Sequence, residues 1–252
     1  MKRFWDTATP TAEPEGGGRP GFGVLLDGRP VRLPGGAPLS VPAAPLAEAI
    51  AEEWSRAGGG AKGGEMGWGD VPLTRLAGTA QERIAPDPGP AVAALAKYAE
   101  TDLLCYRAED PRLAAEQAEL WQPLLDWAAL QLDAPLRSTA GLMPVAQDPS
   151  AVAALRRAVA ALPAIELAAL AVLVPAFGSL VLGLAVLSGR LDSAGAHRLA
   201  TLDERFQERF WGTDAEALAR RDRVAGEVAL AERLVRLTRR EAAAGPCSGE
   251  AA

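Results

Sequence analysis

The chain has 252 residues, of which 49% are hydrophobic, so it is long enough to bury a substantial core in one large or two modest domains. Its 26 lysines and arginines are outnumbered by 32 aspartates and glutamates, and without a long basic block this balance argues against nucleic acid as a partner. The single histidine, His197, excludes a histidine-rich metal centre, and two distant cysteines, Cys105 and Cys247, match neither a zinc site nor a disulfide framework. We therefore expect no metal and no cofactor.

Residues 1–68 are predicted to form a small β-rich domain that contains one helix. The stretch FGVLLDGRPVRLP, residues 22–34, has two β-compatible runs on either side of Asp27-Gly28, a dipeptide that favours the two-residue turn of a hairpin. Further strands are predicted at residues 2–13 and 37–42, with a flexible turn at residues 13–21.

The helix of this region is predicted over residues 43–59, where Pro45 lies in the first turn and glycines end the apolar spacing. Its apolar face is expected to lie against the sheet and consists of Leu46, Ile50 and Trp54. The Gly-rich residues 58–70 lack the Gly-Lys-Ser/Thr ending of a phosphate-binding loop, so they are predicted to be a linker.

From Pro72 onward the spacing of apolar residues is almost entirely helical, so residues 69–243 are predicted to form a larger all-helical domain and the fold class is α+β. Helices are predicted near residues 72–85, 90–107, 111–132, 149–160, 164–188, 193–211 and 214–243. Thr213 and Glu216 have the spacing of a capping box for the last helix. Residues 244–252 are predicted to be a disordered tail.

A run of 23 uncharged residues lies between Glu166 and Arg190, and it is long enough to cross a bilayer. Pro175 and Gly178 interrupt the run, and neither a basic cluster nor an aromatic belt flanks it. We therefore expect residues 167–188 to form a helix buried inside the helical domain, without stable membrane insertion. A membrane span is the alternative, and dependence on detergent for solubility would support it.

The stretch KYAETDLLCYRAED, residues 97–110, places a cysteine among polar side chains and raises the question of a thiol nucleophile. Cys105 falls near the predicted C-terminal end of its helix, where the helix dipole disfavours a thiolate. The one available base, His197, is far along the chain. We therefore expect Cys105 to be structural rather than catalytic.

Asp102, in the same stretch, lies at the edge of an apolar helical stripe and is expected to be largely buried. A buried carboxylate needs a partner, and Arg75 is the candidate because its helix is expected to pack alongside. Asp102 and Arg75 are thus a predicted structural pair. The apolar stripe consists of Val92, Leu95, Ala96, Ala99, Leu103 and Tyr106.

The stretch LDERFQERFWG, residues 202–212, carries a second polar cluster. Glu204, Gln207, Glu208 and Trp211 fall together on one helical face, spaced for mutual contact. A large aromatic beside an amide and acids is typical of a protein-binding patch. Packing of Trp211 under the next helix, with solvated acids, explains the pattern equally well. The neighbouring stripe is expected to be buried and consists of Leu199, Leu202, Phe206 and Phe210.

The sequence carries no nucleophile elbow, no dinucleotide-binding glycine pattern and no paired histidines, so we expect no catalysis. The paired acids Glu52 and Glu53 are expected on an exposed helix face, where they are solvated. The alternative is a small-molecule enzyme with a polar site that uses Arg75, Asp102 and Glu204. A ligand bound in the helical domain would support that alternative.

Eight stretches in order resemble one known family: KRFW, LDGRPVRLP, LAEAIAEEW, PLTRLAGTAQERI, YAETDLLCYRA, WQPLLDWA, GSLVLGLAVLSGRL and LDERFQERFWG. They are similar to the ATP12-type assembly chaperones, which act on the alpha subunit of the ATP synthase F-one sector, and the similarity runs over residues 2–237. The sequence departs from the family at Gly78, where the family usually has Asn, and in LAVLVPAF, which is more apolar.

The resemblance implies a β-rich N-terminal domain, a helical C-terminal domain and no catalysis. It also implies that the chain holds an unassembled alpha subunit and shields the surface that later meets the beta subunit. Glu204, Gln207, Glu208 and Trp211 are then the expected partner-binding residues. The first residues resemble neither a signal nor a transit peptide, so we expect a bacterial cytoplasmic protein, whereas a eukaryotic member would be expected in the mitochondrial matrix.

Overall fold

The computed structural model of the protein describes residues 1–12, 21–141 and 143–239. The described residues divide into two compact units, the first comprising residues up to Pro86 together with 233–239, and the second comprising residues from Asp87 to Glu232. A small antiparallel sheet followed by helices gives the α+β class that the sequence predicts. Most of the predicted turn at residues 13–21, the predicted tail and Cys247 lie outside the described residues.

The first unit contains a three-stranded antiparallel sheet in the order β1–β2–β3. The strands are β1 (Ala8–Ala12), β2 (Phe22–Leu26) and β3 (Arg29–Pro30). Asp27 and Gly28 form the turn between β2 and β3 with φ angles of 46° and 78°, which confirms the predicted hairpin. Residues 37–42, predicted to be a strand, instead contribute isolated bridges such as that between Val41 and Phe22.

Two α-helices lie wholly within this unit. They are α1 (Ala44–Arg56) and α2 (Pro72–Thr79), and a π-helical turn, Ala80–Ile84, continues α2. α1 packs on β1 and β2 and buries the predicted apolar face of Leu46, Ile50 and Trp54. The units divide at Pro86, so α2 belongs with the sheet, although the sequence assigned it to the helical domain that starts at residue 69.

Glu53 joins α1 to the start of α2. Its carboxylate accepts hydrogen bonds from the backbone N–H groups of Leu73, at 2.8 Å, and Thr74, at 3.2 Å. Burial raises the pKa of the Glu53 carboxyl, and these hydrogen bonds oppose the rise only in part. The expectation that Glu53 is solvated is therefore wrong, because its carboxylate satisfies amide groups in the first turn of α2.

The second unit is helical. Its helices are α3 (Gly89–Ala96), α4 (Pro111–Leu132), α5 (Pro149–Ala160), α6 (Ala164–Phe177), α7 (Leu180–Leu187), α8 (Ser193–Ala200), α9 (Leu202–Trp211) and α10 (Ala215–Arg239), of which α10 ends in the first unit. A two-stranded parallel sheet, absent from the sequence prediction, pairs β4 (Tyr106–Arg107) with β5 (Thr139–Ala140).

Aspartate side chains start several of these helices. Each accepts a hydrogen bond from a backbone N–H that has no partner within its helix, and the residues are Asp110, Asp148, Asp192 and Asp214. At α10 the carboxylate of Asp214 lies 3.3 Å from the nitrogen of Glu216 and 3.2 Å from that of Ala217. The predicted capping box of Thr213 and Glu216 is therefore replaced by a cap from Asp214.

The long uncharged run forms two helices, not the single helix predicted over residues 167–188. α6 ends at Phe177 and is followed by Gly178, whose φ of 62° is left-handed. Ser179 then caps α7 by accepting a hydrogen bond from the Leu182 nitrogen at 3.0 Å. Every residue of α7 and most residues of α6 are buried, so the predicted interior location is confirmed. Among the described residues, no helix is long and apolar enough to cross a membrane.

The helix predicted over residues 90–107 ends early, at Ala96. Short 3₁₀ turns follow, and Asp102 begins the second of them, Leu103–Cys105. Because the helical period is lost, Tyr106 lies half-buried in β4 instead of extending the predicted apolar stripe.

Candidate protein-binding site

Asp102 is fully buried and is held at the start of α7. Its Oδ1 accepts hydrogen bonds from Ser179 Oγ at 2.7 Å and from the Leu104 nitrogen at 3.0 Å, and its Oδ2 accepts one from the Val181 nitrogen at 3.0 Å. The predicted burial is confirmed, since the residue is 0% exposed. The predicted partner is wrong, because a hydroxyl and two backbone amides satisfy the carboxylate, whereas Arg75 is an exposed residue of the first unit.

The electrostatics of Asp102 follow from this enclosure. Burial raises the pKa of its carboxyl, while the hydrogen bonds from Val181, Ser179 and Leu104 act in the opposite direction. The carboxylate therefore serves as a buried cap for the backbone of α7, whose first amide groups would otherwise lack acceptors.

Cys105 is enclosed beside Asp102. Its side chain is 2% exposed, and burial, with the nearby Asp102 carboxylate as a smaller cause, raises the pKa of the thiol to about 12. The thiol is thus protonated at neutral pH and is poorly suited to act as a nucleophile.

Polar contacts hold α9 along α4. The buried Gln117 donates through Nε2 to Asp203 Oδ1 at 2.8 Å, and its Oε1 accepts from the Ala108 nitrogen at 2.7 Å. Closer to the C-terminal end of α9, Arg209 lies 2.7 Å from Glu116. The helix predicted over residues 193–211 is divided at Thr201 into α8 and α9, and these contacts set the direction of the second part.

The C-terminal end of α9 carries two exposed aromatic side chains. Phe210 is 54% exposed and Trp211 is 84% exposed, whereas Leu202 and Phe206 of the predicted stripe are buried. The expected burial of Phe210 is wrong because its ring reaches the first turn of α4, where it meets the guanidinium of Arg112 at 4.9 Å instead of a core. Leu199, also predicted to be buried, is half-buried in α8.

Glu204 and Glu208 face α10 and are paired with its arginines. Arg220 lies 2.9 Å from Glu204. The buried Arg221 lies 2.7 Å from Glu208 and 3.8 Å from Glu204. These ion pairs connect α9 to α10, so the two acids already have cationic partners within the chain.

The four predicted binding residues therefore share a helix but not an environment. Gln207 and Trp211 are exposed, and within the described residues neither side chain makes a hydrogen bond, whereas Glu204 and Glu208 are engaged by α10. We call Gln207, Phe210 and Trp211 the α9 tip. Sequence reasoning missed Phe210, although the helix-ending Gly212 directly after the Phe-Trp pair is a signal that the pair lies at an unpacked end.

The surroundings of Asp102 and Glu204, the two acids of the alternative enzyme site, do not favour a catalytic role. Asp102 is enclosed and fully engaged in hydrogen bonds, and Glu204 is paired with Arg220. Over the described part of the chain, no group of His, Cys, Asp and Glu side chains is arranged to hold a metal ion. The geometry instead presents an exposed aromatic pair on a helix that is anchored on two other faces, which is the arrangement of a protein-binding anchor.

A profile of the ATP12 chaperone protein family matches residues 2–129. The crystal structure of Atp12 from Paracoccus denitrificans has 45% sequence identity and a TM-score of 0.86, over 94% of this chain and 98% of that one, and a mutant of the same protein gives the same values. A proposed chaperone from Agrobacterium tumefaciens has 35% identity and a TM-score of 0.83, over 94% of this chain and 85% of its own. Because 94% of this chain matches the Paracoccus protein at 45% identity, the chain belongs to the ATP12 chaperone family.

Proposed function

We propose that this ATP12-family chain is an assembly chaperone that binds the unassembled alpha subunit of the ATP synthase catalytic sector and promotes its assembly, without catalysing a reaction. The observation that carries the proposal is the exposed pair Phe210 and Trp211 on a chain of a chaperone family. Isolated exposed apolar residues are ordinary, but an 84% exposed tryptophan next to a second exposed aromatic marks an interaction surface.

The α9 tip suits the surface of a subunit that awaits its neighbour, which is apolar at its centre and polar at its rim. Trp211 offers a large apolar area with only two rotatable side-chain bonds, so little conformational entropy is lost when it is buried. Gln207 supplies one acceptor and one donor group at the edge of that area.

The contacts that anchor α9 also favour binding of a client. Gln117 and Glu116 hold the helix on α4, and the pairs of Glu204 and Glu208 hold it on α10. A binding helix that is already rigid before the client arrives loses less entropy on binding. In the proposed function Glu204 and Glu208 remain part of the partner-binding region, and their main role there is to position the aromatic side chains.

The enclosure of Asp102 and the pairing of Glu204 with Arg220 do not favour the alternative of a small-molecule enzyme that uses these two acids. The proposed compartment is the bacterial cytoplasm, or the mitochondrial matrix for a eukaryotic source. Proposed partners include neither nucleic acid nor lipid, and no cofactor is required.

The test is capture of the partner from the source cell. A tagged chain should retain the alpha subunit of the ATP synthase in an amount close to its own, as measured by mass spectrometry of the eluate, and should retain less of the beta subunit. If the eluate contains no alpha subunit when that subunit is overproduced without its neighbours, the proposed function is wrong.

A further inference from the structure

A groove of about 830 Å³ lies along α9, on a different face from the pairs with α10. Leu202 and Arg205 of α9 line the groove, whereas Glu204 and Glu208 face the arginines of α10. α4 forms the opposite wall of the groove. The segment that follows α7, together with α8, forms the rest of its lining. All of its lining residues belong to the second unit, so the groove is formed within one compact body.

The apolar part of the groove is open to solvent. Leu120 of α4 is 41% exposed, and Pro123, one turn further on, is exposed as well. Across from them Leu191 and Leu199 are half-buried. Covering such side chains by a partner removes apolar surface from water and is favourable.

The rim of the groove is basic, although the chain has a net charge of −6. Arg190, Arg198 and Arg205 line it against one acid, Glu119, and all four side chains are exposed. Throughout residues 1–12, 21–141 and 143–239, the ion pairs include none of these three arginines.

Although they lack an ion pair, two of these arginines are held in place by other contacts. Arg205 Nε donates to Thr201 Oγ1 at 3.1 Å, and the guanidinium of Arg190 lies 5.9 Å from the centre of the Trp127 ring. A guanidinium that is held in place and lacks a carboxylate partner can bind one in a two-point geometry.

We propose that this groove binds an amphipathic segment of the client that presents leucine-like side chains to the groove floor and carboxylates to the arginine rim. The chemistry of the groove selects this occupant, because the arginines attract an acidic segment and repel a basic one, and the exposed leucines favour an apolar face. A helix in an apolar groove is a common mode of peptide recognition. The proposal rests on the proposed function only in that the client is taken to be the alpha subunit.

The groove and the α9 tip then flank the same helix. A client bound by both would contact α9 at two places, with its acidic segment against Arg198 and Arg205 and its apolar surface on Trp211. Two linked contacts of this kind bind more tightly than either alone, since the second forms at a high effective concentration.

The test uses Arg198→Glu and Leu120→Glu, two changes at exposed groove positions, with Arg223→Glu as the matched control at an exposed position of α10 that does not line the groove. The probes are the purified alpha subunit and two synthetic helical peptides with the same leucines, one carrying glutamates and the other lysines. Dissociation constants are measured by calorimetry or fluorescence anisotropy. Each groove variant should bind the alpha subunit about tenfold more weakly than the wild type, and the control should be unchanged.

The peptides separate failure of this inference from failure of the proposed function. Stronger binding of the glutamate peptide, lost in Arg198→Glu and retained in Arg223→Glu, supports the groove as an acidic-segment site whatever the client. Capture of the alpha subunit with equal affinity by wild type and both groove variants overturns the inference and leaves the proposed function standing. Equal binding of the two peptides, or none by either, overturns the inference as well.

Discussion

Two acidic residues of the second unit, Asp102 and Glu204, lie at helix contacts but in opposite environments. Asp102 is 0% exposed and satisfies a hydroxyl and backbone amides at the start of α7. Glu204 is exposed and forms an ion pair with Arg220 on α10. The first acid is bonded to a buried hydroxyl and to backbone amides, and the nearer partner of the second is a solvent-exposed arginine side chain.

The difference shows that burial decides what an acid contributes. A donor left without a partner in a dry interior costs about 1–3 kcal/mol, whereas an exposed ion pair contributes about 0–1 kcal/mol because water and salt compete for both groups. We therefore expect Asp102 to contribute strongly to the stability of the fold. Glu204 is expected to contribute little to stability and lies beside a surface available for binding.

Asp102→Ala should produce the largest loss of stability. It leaves Ser179 Oγ and the amide groups of Leu104 and Val181 without their acceptor. We expect the free energy of unfolding to fall by about 3 kcal/mol, a value that already allows for relief of the unfavourable burial of a charge. Urea denaturation followed by circular dichroism measures it.

The control for this change is Asp126→Ala, at an exposed position of α4. That variant should shift the free energy of unfolding by no more than about 0.5 kcal/mol. An equally small shift for Asp102→Ala would mean that the cluster at the start of α7 does not stabilise the fold.

Glu204→Lys should have an intermediate effect. The new ammonium group would lie near Arg220 and Arg221, so the pair that joins α9 to α10 becomes a repulsion. We expect a loss of about 1 kcal/mol, because the site is partly exposed and screened by solvent. The loss should shrink in 1 M salt, and a salt-independent loss would show that packing rather than charge is responsible.

The pH dependence of stability distinguishes the two acids further. Burial raises the pKa of Asp102 above its ordinary value of 3.8, so the folded state holds its proton more tightly than the unfolded state. The stability from this group is fully present below pH 3.8 and is lost as pH rises through the raised pKa.

Asp102→Asn removes this titration while keeping the shape of the side chain. The stability advantage of the wild type over Asp102→Asn should therefore be greater at pH 4 than at pH 7.5, when both are measured by urea denaturation. An advantage that grows with pH would mean that the folded state favours the carboxylate and that the hydrogen bonds outweigh the effect of burial.

Cys105 reports on the same enclosure without a change at Asp102 itself. Since its thiol has a pKa raised to about 12 and is buried, a maleimide reagent should label it slowly in the native protein at pH 7 and rapidly in urea. Cys247→Ser removes the other thiol of the chain and serves as the background for this measurement. Labelling of native Cys105 as fast as in urea would contradict the burial described for it.

Local chemistry was enough to predict several of these features. The Asp27-Gly28 turn follows from residues that tolerate positive φ, and the interior position of the uncharged run follows from its flanks. The division of that run was also signalled, because Gly178 followed by Ser179 is a helix stop followed by a helix cap.

Contacts between residues far apart in the sequence could not be predicted from local sequence patterns. Burial of Asp102 could be predicted from its place beside apolar residues, but its partner Ser179 is 77 positions away and no periodic pattern links the two. Phe210 fits a buried stripe by spacing alone, yet it is exposed because α9 extends to the first turn of α4. Whether an apolar residue on a helical stripe is buried depends on where the neighbouring helix begins.

The most direct test of the proposed function is the affinity of Trp211→Ala for the purified alpha subunit, with Leu130→Ala, at a 79% exposed leucine of α4, as the matched control. Because Trp211 is 84% exposed, its removal should change the free energy of unfolding by less than about 0.5 kcal/mol. As an aromatic anchor it should nevertheless be needed for binding, so the dissociation constant should rise at least about tenfold, while the control retains wild-type affinity. A Trp211→Ala variant that binds the alpha subunit as tightly as the wild type would contradict the assignment of the α9 tip as the client-binding surface.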